Sequence, residues 1–165
     1  MIVPDVLEQG LALVLCGTAP SRASKEARAY YAHPGNIFWK TLFEVGLTGR
    51  LLAPHDYVEV LGFGFGLTDL NKTEWGADSQ LSHAAFDVPA FAAKMRLYRP
   101  SVIAFDSKYA ATKFFGRRDI RYGLQDQTLG ESKLFVVPST SGRARMYFDI
   151  GPWRELARLV EDYRP

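Results

Sequence analysis

Hydrophobic positions along this chain fall into two kinds of segment: short unbroken aliphatic runs, and longer stretches in which apolar residues recur every three or four positions. Residues 11–16 are a run of the first kind, short enough for a buried strand, and Gly17 breaks it before the tight loop Thr18-Ala19-Pro20-Ser21. Residues 21–28 are polar with spaced alanines and fit a helical turn or an ordered loop. Phe38, Leu42 and Val45 carry a helical period that ends at Gly46. A second helix is expected to begin over residues 54–60. Residues 60–67 alternate with glycine and read as a short second strand, closely hugged by its neighbours, with Thr68 and Asp69 at its exit. Residues 71–82 are polar and predict a surface loop carrying Trp75.

The clearest amphipathic helix covers residues 86–98, with Asp87 in its first turn and Pro100 as its stop. Residues 102–105 form a third buried run, followed by Asp106-Ser107-Lys108 and a helix through Phe115. Residues 134–137 form a fourth run, with residues 138–145 as its exit loop. A last helix over 153–163 turns Leu156, Leu159 and Val160 inward. Strands alternating with helices predict an α/β fold: a three-layer α/β/α sandwich, with a central, mainly parallel, four-stranded sheet in one domain spanning residues 1–165. Ligands of such sheets sit beyond the carboxyl ends of the strands. Gly17-Thr18-Ala19, Thr68-Asp69, Asp106-Ser107-Lys108 and Ser139 to Arg143 all fall there, so the pattern alone gathers the chemistry at one end.

Composition narrows the reading. No apolar stretch is long enough to span a membrane, and the first run lacks the flanks of a secretory signal. The one cysteine excludes an internal disulfide, and no Cys/His spacing suggests a metal, so neither metal nor organic cofactor is expected. A monomer in a reducing cytoplasm, near the nucleoid, fits these features. The net charge of +2 says little, but residues 108–145 hold eight Lys/Arg against three Asp/Glu, leaving the remainder net negative. A basic face of that kind suits a phosphate backbone. No GxGxxG or GxxxxGK string follows the first strand, which disfavours a nucleotide-binding domain.

Residues 30–39, YYAHPGNIFW, crowd aromatics, a turn and an amide behind the first strand. Residue types alone serve equally a pocket for a flat ligand and an aromatic loop packed on the core. The order of motifs separates the two. GTAPS, YYAHPGNIFWK, GFGLTDL and VPSTSGRAR, in that order over about residues 11–160, resemble the uracil-DNA glycosylase superfamily. The likeness is strongest to its mismatch-specific uracil/thymine branch, while YYAHPGNIFW also resembles the hypoxanthine-DNA glycosylase branch.

The resemblance implies a monofunctional glycosylase acting on DNA that contains uracil or another deaminated base, with hypoxanthine and xanthine among the lesions to test. Its alternative is a DNA-binding protein of the same fold that has lost the chemistry. By resemblance, Tyr31 stacks on the flipped base, and Gly17, Thr18 and Ala19 offer backbone N–H groups to it. His33 and Ser139 line the base pocket, His33 being equally suited to a structural bond to a backbone carbonyl. Ser141, Gly142 and Arg143 belong to the loop that enters DNA, with Arg143 where a relative has an apolar wedge. Lys108 and Arg145 are expected at the phosphates. The chain departs from the mismatch-specific pattern at Ala19, where an asparagine would position water. Asn36 and Asp69 are therefore the candidates for that task. Against them stand an Asx turn for Asn36 and a helix cap or turn for Asp69.

Overall fold

The computed structural model describes residues 1–165. Its elements are β1 (Leu13–Gly17), α1 (Arg22–Ala27), α2 (Phe38–Glu44), β2 (Phe65–Asp69), α3 (Val88–Tyr98), β3 (Val102–Phe105), α4 (Lys108–Phe115), β4 (Gly123–Leu129), β5 (Ser132–Val136) and α5 (Gly151–Glu161). The sheet runs β2-β1-β3-β5-β4, parallel throughout except for the β5–β4 pair. Every residue of β1, β2 and β3 is buried, as expected of strands covered on both faces. Leu13, Leu15, Phe65, Leu67, Val102 and Ala104 face the side covered by α2 and α5, where Phe38, Leu42, Trp153, Leu156 and Val160 close the core. Val14, Cys16, Ile103 and Phe105 face the other side, against Phe91 and Met95 of α3 and Ala110 and Ala111 of α4. This is the expected three-layer sandwich, with five strands where four were expected.

The fifth strand is β4. Its sequence, Gly-Leu-Gln-Asp-Gln-Thr-Leu, is mostly polar because an antiparallel edge strand buries only its ends here. Residues 54–60 differ as well: Pro54–Phe63 is a 3₁₀ segment, closed by Gly64 in a left-handed conformation, so Val60 precedes β2 instead of opening it. Asp69 is the last residue of β2, not its exit. Asp87 caps α3 by accepting from the Ala90 N–H, and residues 22–27 resolve the choice between helix and loop in favour of α1.

Candidate functional site

Side chains alternate along a strand, so Gly17 points to the same face as Leu13 and Leu15. The register sets Asp69 beside Gly17 on one flank. On the other flank Cys16 pairs with Phe105, which brings Asp106 level with Gly17, and the Asp106 N–H donates to the Cys16 carbonyl at 3.0 Å. One row at the carboxyl end of the sheet therefore reads Asp69-Gly17-Asp106. A Cβ on Gly17 would stand 2.7 Å from Asp69 Oδ1, 3.1 Å from Asp106 Oδ2 and 3.2 Å from the Tyr31 hydroxyl. The strand demands glycine there, and the missing side chain leaves the two carboxyls and the phenol facing one point.

Tyr31 reaches that point from the loop after α1. Its backbone is left-handed, with φ of 52°, an unusual conformation for a residue with a bulky side chain. Its ring stacks on Phe38, centroids 3.6 Å apart and planes within 9°, and its hydroxyl donates to Asp106 Oδ2. Phe38 is itself wedged edge-on between Trp39 and Trp153, so Tyr31 rests on a rigid aromatic base.

Asp69 and Asp106 are buried, 5% and 8% exposed, and neither has a salt-bridge partner. Asp69 Oδ2 has no hydrogen-bond partner at all. Burial pushes the Asp69 carboxyl up to about 6, with Lys72 pulling it down and Asp5 pushing it up. Lys72 and Lys94 are spent on Asp5, at 2.9 and 2.5 Å, and Thr68 donates to the same carboxylate at 2.7 Å. Burial likewise raises Asp106 to about 7; the Tyr31 hydrogen bond lowers it, while Asp69 and Asp78 raise it further. Desolvation disfavours the charged form wherever no cation compensates. Cys16, fully buried behind this row, is held as an inert thiol by the same burial.

The HPGN turn is built from its own polar groups. The Gly35 N–H donates to His33 Nδ1 at 2.9 Å, which leaves the proton of a neutral imidazole on Nε2, and the Asn36 N–H donates to the His33 carbonyl. His33 is thus bonded to a backbone N–H, not to the backbone carbonyl expected as its alternative. Asn36 Oδ1 accepts from the Phe38 N–H at 2.9 Å, an Asx turn that starts α2, while its amide nitrogen carries no protein partner. The turn and a catalytic role are compatible, because the bond fixes the direction in which the free amide end points.

The loop after β5 is stitched in the same way. Ser139 Oγ accepts from the Ser141 N–H at 3.2 Å, and Ser141 Oγ from the Arg143 N–H at 3.3 Å. Trp153 anchors the loop through the Pro138 carbonyl. Gly142 passes so close to the Gly35 carbonyl that a Cβ would lie 3.3 Å from it. The 3₁₀ turn Gly142–Tyr147 then lifts Arg143 and Arg145 to the surface, with Met146 and Tyr147 89% and 77% exposed beside them. Sequence reasoning passed over that apolar pair; two large side chains directly after the basic loop were the available signal.

Gly17, Thr18, Ala19, Tyr31, His33, Asn36, Asp69, Lys108, Ser139, Ser141, Gly142 and Arg143 line a single cleft of about 1100 Å³. Arg145 stands outside it and donates to the Gly35 carbonyl. Thr18 is held by Asp78, and neither its N–H nor that of Ala19 is spent on a backbone carbonyl. Lys108 lies over the Tyr122 ring, 4.4 Å from its centroid. Asp106, noted in the sequence only as a strand exit, proves central to the floor. No group of three or more His, Cys, Asp or Glu side chains is placed to hold a metal ion, and no helix is long and apolar enough to cross a membrane.

Residues 4–161 match the family model described as the uracil DNA glycosylase superfamily. The fold is similar to the solution NMR structure of a provisionally named uracil DNA glycosylase from Methanosarcina acetivorans. The TM-score is 0.67, with 22% identity over 96% of each chain.

Proposed function

The chain belongs to the uracil DNA glycosylase superfamily, and on that premise we propose that it is a monofunctional DNA glycosylase that hydrolyses the N-glycosidic bond of uracil in DNA. The observation that carries the proposal is the cleft at the carboxyl end of the sheet, floored by Gly17, Asp69 and Asp106, walled by Tyr31 and rimmed by Lys108 and Arg143. A base within a duplex is out of reach and has to be flipped into such a pocket.

Tyr31, already pressed against Phe38, stacks on the flipped base with its remaining surface. The unspent N–H groups of Thr18 and Ala19 donate to a base carbonyl and hold the negative charge that grows as the bond breaks. Ala19 can neither orient nor activate water. We assign the water to Asn36, which lines the cleft and whose amide nitrogen has no protein partner, with Asp69 as the alternative of stronger intrinsic basicity but deeper burial. Arg143 fills the gap left by the flipped nucleotide through its planar guanidinium, and Lys108, Ser141, Gly142 and Arg145 sit along the phosphates.

Ala19 also favours a second reading, a uracil-binding protein of this fold without turnover. An electrophoretic assay on a labelled duplex with one uracil separates the two. Alkali-labile cleavage at the uracil establishes the enzyme. A shifted band without product establishes the binder.

A further inference from the structure

We propose that Trp75 is a second subsite of the cleft, on which the unpaired nucleobase next to the flipped nucleotide stacks. The inference rests on the glycosylase reading and adds a residue of the same strand to what the cleft holds.

Trp75 is the one aromatic of the polar loop between β2 and α3, and it is 39% exposed. The other two tryptophans are buried and bonded: Trp39 donates to the Tyr30 carbonyl and Trp153 to the Pro138 carbonyl. The loop that leaves Trp75 in water is stiff. Asn71 Oδ1 accepts from the Thr73 and Glu74 N–H groups. The Glu74 carboxylate accepts from the Asn71 amide at 2.8 Å and from the Ser82 hydroxyl at 2.6 Å. On the far side of Trp75 the Gly76 N–H donates to the Pro20 carbonyl at 2.9 Å, and Thr18 donates to Asp78 at 3.1 Å. Those two bonds fasten the indole beside the very loop whose N–H groups are assigned to the flipped base.

Trp75 lines the same cleft as Tyr31, Asn36 and Arg143. Lys25, which does not line it, sets its ammonium over the indole, 4.3 Å from the centroid. A cation behind the ring fixes its orientation and leaves the cleft side of the indole for a ligand. When one nucleotide leaves the stack, the base beside it loses a stacking partner. In unpaired DNA nothing else restores that contact, and an indole accepts every base because each has a π-face. A protein partner would need a continuous apolar patch, whereas the cleft wall after Trp75 is Gly76, Ala77, Asp78, Ser79 and Gln80.

The test is equilibrium binding of single-stranded oligonucleotides holding one deoxyuridine whose fluorinated sugar resists cleavage of the glycosidic bond. Its neighbours are intact, or an abasic residue stands immediately before or immediately after it. The proteins are the wild type, Trp75→Ala and Trp75→Phe. On intact DNA, Trp75→Ala is expected to bind about 5- to 100-fold more weakly, the loss of one base–aromatic stack. Trp75→Phe keeps a ring and retains most of the affinity. Removing the base on one of the two sides weakens the wild type by a similar factor and leaves Trp75→Ala unchanged. Losses by Trp75→Ala that are the same on intact and on both abasic-flanked strands make the residue a shaper of its loop and overturn the inference. Wild-type affinity in Trp75→Ala overturns it as well.

Fluorescence of the wild type alone adds a readout free of any folding defect in the variants. Trp39 and Trp153 are 5% and 0% exposed, so acrylamide quenches chiefly Trp75. Intact DNA is expected to shield that emission, and the strand lacking the stacked neighbour is not; shielding indifferent to both neighbours overturns the inference. Excision is read separately, on ordinary deoxyuridine. A wild type that stacks the neighbour but forms no abasic site overturns the hydrolytic reading and leaves the subsite standing. Excision indifferent to Trp75 and to both neighbours does the reverse.

Discussion

The Arg145 guanidinium donates to the Gly35 carbonyl at 2.9 Å, joining two loops 110 residues apart in sequence. The Ile37 N–H donates to the Thr140 carbonyl at 3.0 Å beside it. The turn that carries Asn36 and the loop that carries Arg143 are therefore one mechanical unit. Arg145→Ala should loosen both: excision from duplex should fall several-fold, with a smaller loss in overall thermal stability, since an exposed charge-assisted bond contributes only about 1 kcal/mol. Amide hydrogen exchange at residues 35–37 and 139–143 checks this directly. Unchanged protection there would mean the bond is incidental.

Arg143 stands free at the tip of the same unit. If it occupies the gap left by a flipped base, Arg143→Ala should slow excision more on paired DNA than on single strands, because only the duplex has a gap to fill. A phosphate contact would instead be lost equally on both. Comparing the two rate ratios at one salt concentration decides between these roles.

Tyr31→Ala should weaken binding of a flipped base by about 1–3 kcal/mol, the range for base–aromatic stacking. Tyr31→Phe keeps the ring and its stack on Phe38 and loses only the hydroxyl bond to Asp106. It should therefore retain most of the activity. Binding of uracil-containing DNA by both variants tests the pocket, and an active, folded Tyr31→Ala protein would refute it.

Titration of the floor also bears on stability. Asp69 and Asp106 rise from an ordinary 3.8 to about 6 and about 7 in the folded protein, so the native state binds protons that the unfolded chain has released. Their contribution is fully present below about pH 4 and is lost as pH rises through about 6–7. Asp106→Asn removes its share of that loss. The variant should match the wild type near pH 4 and exceed it at pH 8, by an amount on the order of 2 kcal/mol. Thermal melts at the two pH values show whether the gap opens as expected.

Much of this arrangement was legible before the coordinates. Residues 11–16, 102–105 and 134–137 announce buried strands because a parallel sheet covered on both faces leaves no polar alternation to confuse the period. β4 escaped notice because an edge strand buries little, and Gln125, Asp126 and Gln127 look like a loop. Asp69 and Asp106 were each visible as residues after apolar runs. Their convergence on Gly17 depends on strand register, which a single sequence does not state. The Asx turn of Asn36 was an evident possibility, but its coexistence with a free amide end is a matter of side-chain direction alone.

That free amide end leads to the decisive substitution. Ala19 cannot handle water, so a working enzyme requires another group in the cleft. Asn36 is half-buried, oriented by the Phe38 N–H and unpartnered at its nitrogen. Asp69 is the stronger base by chemistry, yet its Oδ2 is cut off from solvent and its nearby lysine, Lys72, is paired with Asp5. Water-positioning and general-base groups contribute ~10²–10⁴-fold. Asn36→Ala should therefore cut single-turnover excision of uracil by at least the lower end of that range while the protein still binds uracil-containing duplex. Asp69→Ala should do the same if it, and not Asn36, holds the water; if it reads the base instead, binding should fall along with rate. The pattern of rate against affinity in the two variants thus assigns each side chain its task, and near-wild-type rates in both would place the water on a group outside this pair.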